Sequence, residues 1–430
     1  MRKGSIIEMV TARQVFSMRG HPGIEAKVIT ENGAFGVALA TAGLSIGEHE
    51  IPFLYDGGER WDGMGVTKAV DNVKNIIGPA IKGADASKQR NVDDILIELR
   101  NKMGAAKLGG NATASVSAAV LIAGAVSLGI PLYQHVGGVN ACTLPVPGAE
   151  VGGGNTRYGH GEGGGDKPSF SFQCYDFDTF ADAVYAGVQV QKMLQRLIKE
   201  RFNMTFPGRM FQFQFIQAGM IEHDREIWEI MTEAINRCGY EGKVGIQMDS
   251  GACTYYDKEK KVYTGIFSRG EKTRDEMIEL YKEMVRDYPF VILEDPLDEN
   301  DYEGHAILTK ELGIQIVGDD LFTTNVERLK QGIKVGACNT FLLKVNQVGT
   351  ITEAFDTVLL AKRGGYDVMP CGSRGEGVAL VDYTVGLGAG TTRGGAIGPA
   401  ADRFMEIEEE LGSKAKFWGK AGLKGSKFRE

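Results

Sequence analysis

The 430-residue sequence predicts an α/β protein in two parts, an N-terminal α+β unit followed by a βα barrel of the (β/α)8 TIM type. Three observations carry this expectation. Strand-like alternation and then helical periodicity fill the first ~140 residues, which is the order of an α+β unit. Beyond them, helix-like and strand-like segments alternate to about residue 390. Finally, Asp249, Glu294, Asp319 and Lys344 each close an apolar run of strand length and stand 45, 25 and 25 residues apart. Those intervals suit successive parallel strands joined by helices.

The N-terminal elements follow in order. Residues 5–37 alternate apolar and polar, with turn signals at Arg19-Gly20-His21-Pro22-Gly23 and Glu31-Asn32-Gly33, so antiparallel strands are expected. Residues 66–81, 91–102 and 112–128 have helical periodicity or composition. The uncharged stretch 112–130 is long enough to consider for a membrane span. Thr113, Ser115, Ser117, Gly124 and Ser127 dilute it, and a buried helix is the expectation. The prolines of Leu144-Pro145-Val146-Pro147 mark a boundary, giving units over 1–143 and 144–430. No internal repeat is evident.

A composition of 43% hydrophobic and 24% charged residues is that of a globular chain and excludes disorder. The net charge of −8 argues against nucleic acid or an acidic membrane surface as partner. The Lys-rich end over 414–429 reads as a solvated tail or subunit contact. Six dispersed cysteines, with no CxxC and no Cys/His cluster, read as reduced thiols. The apolar stretch after the first residues breaks at Glu8, so no secretory signal is expected and the cytoplasm is the default location.

In a parallel barrel the strand C-termini converge on one face, so Asp249, Glu294 and Asp319 would meet around a hard cation with the Lys344 ammonium nearby. An all-oxygen set favours Mg²⁺ over zinc, which usually recruits nitrogen or sulfur. A dication beside Lys344 disfavours its ammonium form and lowers its pKa towards the ~7–8 range of a general base. Such a base could take the proton from carbon beside a carboxylate. The glycine-rich stretch 152–167 suits a loop closing over a ligand. It lacks the GxxxxGK[ST] order, so no nucleotide loop is read there. Phe211, Phe213 and Phe215 alternate as the packing face of a strand, which turns Gln212 and Gln214 to the opposite face, the inside if the strand is in a barrel.

With this series in place the chain resembles the enolase family nearly end to end. The resemblance includes Ala12-Arg13-Gln14-Val15-Phe16, Arg19-Gly20-His21-Pro22, Leu108-Gly109-Gly110-Asn111-Ala112, Glu294-Asp295-Pro296, Leu343-Lys344-Val345-Asn346-Gln347 and Ile407-Glu408-Glu409-Glu410-Leu411-Gly412. It implies an α+β capping domain, a modified βα barrel, Mg²⁺ and a homodimer or higher homo-oligomer. A Lys base with a Mg²⁺-stabilised ene-diolate is the described chemistry of this superfamily and is taken from it here. By position, Asp249, Glu294 and Asp319 resemble the Mg²⁺ ligands and Lys344 the base. Ser45, in Gly43-Leu44-Ser45-Ile46-Gly47, resembles a ligand of a second Mg²⁺, and His160 the loop histidine that approaches a substrate phosphate. Arg393 stands where the family has a lysine for the substrate carboxylate, and a guanidinium can hold a carboxylate bidentately. Arg19 and Glu409 resemble residues that pair across a dimer interface, while His49 reads equally as structural or ligand-facing.

The departures from the family fall on the second chemical step. The acid glutamate of the family falls on Gln214 and its partner glutamate on Ser169. Neither supplies a carboxylic proton at neutral pH, a role worth typically about 10²–10⁴-fold. Glu162, Asp166 and Glu222 are near enough in sequence to substitute. In Cys371-Gly372-Ser373-Arg374-Gly375-Glu376 a glycine replaces the family histidine and the order becomes Ser373-Arg374, which still offers donors to an oxyanion. The expectation is therefore a Mg²⁺-dependent, lyase-type enzyme that takes the α-proton of a small, phosphorylated carboxylate through Lys344 and then diverges. The alternatives are an enolase interconverting 2-phosphoglycerate and phosphoenolpyruvate, and a binding protein that kept the fold.

Overall fold

The structure is a computed structural model and describes residues 4–17, 20–43, 46–153, 167–203, 214–215 and 219–428. Three N-terminal strands, β1 (Ile7–Phe16), β2 (Pro22–Thr30) and β3 (Phe35–Thr41), form an antiparallel meander in that order. Asn32 shapes the β2–β3 turn, its Oδ1 accepting the Thr30 hydroxyl at 2.6 Å and the Ala34 N–H at 3.1 Å, with Gly33 at φ +85°. The helix expected over 66–81 is present as Thr67–Asn72, Val73–Ile77 and Gly78–Ile81, the middle stretch in π geometry. The other two are α1 (Gln89–Met103) and α2 (Gly110–Leu128).

Helix α2 is the uncharged stretch, and it is core. It packs on β2 and β3, where Ile24, Ala26 and Val28 meet Val116, Ala119, Val120 and Ala123. A Cβ at Gly36 would fall 2.1 Å from the Ala119 carbonyl oxygen, so helix and strand backbones touch only because that position has no side chain.

Among the described residues, eight strands form the barrel path of the second unit: β4 (Val146–Gly153), β5 (Ser169–Cys174), β6 (Val244–Asp249), β7 (Phe290–Glu294), β8 (Gln315–Gly318), β9 (Thr340–Leu343), β10 (Asp367–Pro370) and β11 (Thr391–Gly395). Neighbours pair in chain order from β4 to β10, and β11 pairs with β4. A bridge between Cys371 and Arg393 joins the two ends of that path into a barrel. Strand β5 runs antiparallel to both β4 and β6, and the remaining pairs are parallel. The sequence pattern gave strand period without direction, so the all-parallel expectation is corrected at this strand. Residues of β6 to β9 are buried throughout, as strands covered on both faces must be.

The βα units are punctuated locally. Thr273 and Glu276 form a capping box that starts helix Arg274–Asp287, Asp301 caps Tyr302–Leu312, Asn325 caps Val326–Val335 and Thr350 caps Ile351–Arg363. Gly313 and Gly336, in left-handed conformation, end two of these helices. The N-terminal unit meets the barrel through ion pairs, Arg100 to Glu353 at 2.6 Å and Arg90 to Asp356 at 2.6 Å, and through Glu50 and Arg374.

Candidate functional site

The four strand-end residues stand together at the C-terminal rim of the barrel. Asp249 and Glu294 end β6 and β7 and lie side by side in register, while Asp319 and Lys344 directly follow β8 and β9. All four are buried. Ser169 opens the antiparallel strand opposite Asp249, so reversal of β5 delivers its first residue, not its last, to this rim.

Three cations meet the three carboxylates. Lys344 Nζ pairs with Asp319 Oδ2, and Lys167 Nζ pairs with Asp249 Oδ2. Arg393 Nη1 lies 2.5 Å from the same Asp249 oxygen and 2.9 Å from Glu294 Oε1, and its Nη2 donates to the Ser169 hydroxyl at 2.9 Å. Glu150 Oε1 approaches Arg393 Nε at 3.8 Å. Amides fix the acids from behind: Gln347 donates to Asp319 Oδ1 at 2.8 Å, and Gln247 donates to Glu294 Oε2 at 3.2 Å while accepting from Ser171.

The neighbouring acids Asp295 and Asp320 have a different task. Asp295 takes a left-handed φ of 42°, and its carboxylate accepts the Asp319 N–H at 3.0 Å and the Asp320 N–H at 2.8 Å. It braces the turn after β8, a strained backbone held by its surroundings. Among the described residues, the acid trio whose oxygens all lie within 4.8 Å of one another is Asp295, Asp319 and Asp320, not the expected Asp249, Glu294 and Asp319. Burial and the nearby Asp320 push Asp295 well up, and burial with Asp319 pushes Asp320 up to about 7. The close trio is therefore a turn brace in which Asp295 and Asp320 are pushed towards the protonated form, whereas Asp249, Glu294 and Asp319 each meet an ammonium or guanidinium partner.

Burial would lower Lys344, but Asp319 outweighs it and holds the ammonium above its ordinary pKa. The expected lowering is thus not a property of the protein groups by themselves; it requires a cation to compete for Asp319. Burial would raise Asp319, and Lys344 with Arg374 more than offsets that. Lys167 is lowered, by burial first and then by Arg393.

Does the donor set fit Mg²⁺? Its three acids are oxygen donors with no nitrogen or sulfur among them, as a small hard ion requires. Asp249 Oδ1 is buried with no hydrogen-bond partner among the described residues. A buried carboxylate oxygen left so is an acceptor awaiting a ligand. The residues fit.

Arg374 stands against Glu50 of the N-terminal unit. Fully buried, it is gripped by Glu50 through both terminal nitrogens, and this pair forms one wall of a 320 Å³ cavity with Ala42, Ile46, Gly47 and Tyr55. Both its terminal nitrogens meet a carboxylate from the N-terminal unit. Ser373 is half-buried in the turn just before it. Ser45, His160 and Arg19 lie outside the described residues, as do the other candidate acids Glu162 and Asp166. Gln214 occupies a two-residue strand paired to Gly152 of β4, and its side chain lies outside the description. Glu222, His49 and Glu409 are exposed.

Sequence reasoning missed Lys167, Glu150, Glu50, Gln247 and Gln347. Only Lys167 offered a signal, a lysine two residues before Ser169 at the end of the glycine-rich stretch.

Family models for the enolase N-terminal domain and the enolase C-terminal TIM barrel domain match residues 7–136 and 141–426. A protein named Enolase from Methanopyrus kandleri is 40% identical over 426 residues, covering 96% of this chain and 97% of that one. Enolase of Methanocaldococcus jannaschii is 39% identical over 416 residues, with 94% and 96% covered, and that of Methanococcus aeolicus is 38% identical over 413 residues.

Proposed function

Because this chain belongs to the enolase family of carbon–oxygen lyases, we propose that it removes the α-proton of a small phosphorylated carboxylate through Lys344 and then departs from the family at the second step. The observation that carries the reading is the juxtaposition of Lys344 on Asp319 with Asp249 and Glu294 on adjoining strand ends and with Arg393, which reaches both acids from β11. Asp249, Glu294 and Asp319 would hold Mg²⁺, which supplies positive charge against the charge that builds on the substrate carboxylate. A cation on Asp319 would compete with Lys344 for that oxygen; no longer held up by Asp319, the Lys344 ammonium would give its proton to solvent and stand as the free amine that accepts the α-proton. Arg393 offers two terminal nitrogens to a carboxylate. Ser169 presents a hydroxyl where the family resemblance expects a glutamate, and this supports a changed second step. In the cell we place the chain in the cytoplasm as a homodimer or larger homo-oligomer, with the N-terminal unit over 1–143 and the barrel over 144–430.

A second reading, an enolase interconverting 2-phosphoglycerate and phosphoenolpyruvate, is favoured by relatives of that name covering nearly the whole chain. One experiment separates the two. Protein with Mg²⁺ and 2-phosphoglycerate is followed by ultraviolet absorbance for phosphoenolpyruvate and by NMR in D₂O for α-proton exchange. Exchange without product, reduced about 10²–10⁴-fold in Lys344→Ala, is the expected result. Rapid product formation dependent on Lys344 makes the chain an enolase, and absence of both signals removes 2-phosphoglycerate as substrate.

A further inference from the structure

We propose that Lys167 is a substrate-binding cation stored on Asp249, so that the divalent cation and an anionic substrate bind to this site interdependently. The inference rests on the reading above that Asp249, Glu294 and Asp319 hold the metal. Lys167 is built into place. Its side chain is only 11% exposed and its Nζ pairs with Asp249 Oδ2. The Tyr255 hydroxyl donates to its backbone carbonyl. Its aliphatic stem lies along Gly251, where a Cβ would fall 2.7 Å from Cγ, 3.1 Å from Cδ and 3.3 Å from Cε. A lysine held along its whole length at the mouth of a barrel is not a solvated side chain.

Charge then decides what it does. Lys167, Arg393 and Lys344 face Asp249, Glu294 and Asp319, three cations against three carboxylates. A divalent cation held through the free Asp249 Oδ1 would stand beside the Lys167 ammonium on Oδ2 and the Arg393 guanidinium that shares Asp249 and Glu294, and would compete with both for the charge of the same acids. Lys167 is then a buried cation whose one acid is shared with the metal, and among the described residues Arg393 keeps an unshared acid only in Glu150 at 3.8 Å, an arrangement that low-dielectric surroundings penalise. An incoming anion removes the penalty. The site thus calls for a ligand bearing at least two negative charges, a carboxylate with a phosphate or a second acid group, and metal and anion each raise the affinity of the other.

Mn²⁺ binding, followed by electron paramagnetic resonance with and without phosphonoacetate, tests this in the intact chain. Phosphonoacetate should tighten Mn²⁺ binding to the unaltered protein at least about fivefold. Lys167→Met should bind Mn²⁺ at least about fivefold more tightly than the unaltered protein when no anion is present, and should respond less to phosphonoacetate. Lys167→Gln repeats the measurement should the methionine variant not fold. Mn²⁺ affinity equal to or below that of the unaltered protein in both variants overturns the inference while leaving the metal reading intact, as does an undiminished response to the anion. Failure of every protein to bind Mn²⁺ under either condition overturns the metal reading and this inference with it.

Discussion

Two arginines, the buried Arg374 and the partly buried Arg393, both read from the sequence as anion binders, are held in opposite ways. Arg374 has a matched carboxylate: both terminal nitrogens go to Glu50, across the junction between the two units. Arg393 divides its nitrogens among Asp249, Glu294, Ser169 and, more distantly, Glu150. A guanidinium gripped through both terminal nitrogens by one planar carboxylate fixes structure, whereas one shared among single oxygens on four strands can exchange partners at small loss. Burial alone would not have separated them; the pattern of acceptors does.

The largest test of this contrast removes the matched partner. Glu50→Ala leaves Arg374 buried and uncompensated and should cost about 3–5 kcal/mol in denaturant unfolding. The double variant Glu50→Gln with Arg374→Met should lose less than Glu50→Ala alone, because no charge is stranded. A loss under about 1 kcal/mol for Glu50→Ala would show a solvated pair and end the distinction. Next in size, Arg393→Gln at saturating Mg²⁺ should weaken phosphonoacetate about tenfold or more, the worth of a charge-assisted hydrogen bond, with a smaller loss of stability than Glu50→Ala. The reverse pattern, large destabilisation and unchanged anion affinity, would place both arginines in one class.

The smallest effect concerns a buried base without an acid. His305 is fully buried, with Nδ1 2.8 Å from the Asp301 carbonyl oxygen, and burial lowers its pKa from the ordinary 6.5. Its folded pKa lies below the unfolded one, so the stability it contributes is complete above about pH 6.5 and is lost as pH falls below it. The slope is at most about 1.4 kcal/mol per pH unit. Unfolding midpoints between pH 7 and 5 should fall less steeply in His305→Gln than in the parent, and parallel curves would show that His305 does not titrate there.

The strand-end residues Asp249, Glu294, Asp319 and Lys344 were legible because a barrel stations its site where apolar runs stop. Resemblance then reached Ser169 and Arg393, which no periodicity marks. The direction of β5 was not legible, since alternation and burial are the same in either sense. Neither was the division of labour within the doublets Glu294-Asp295 and Asp319-Asp320: it follows from the left-handed turn at Asp295, a backbone choice that composition does not announce. Glu50 and Arg374 are 324 residues apart, and no local pattern joins them. Lys167 sits beside a run of glycines that normally signals a solvated loop, and what buries it lies on Gly251 and Tyr255.

Arg393 also contributes its backbone, for its bridge to Cys371 is the seam where the ring of strands meets itself. The last barrel strand to leave a ribosome is therefore the one that both shuts the cylinder and delivers a guanidinium to acids on β6 and β7. A nascent chain that has made every other strand carries its carboxylates without that counter-charge, on an open sheet.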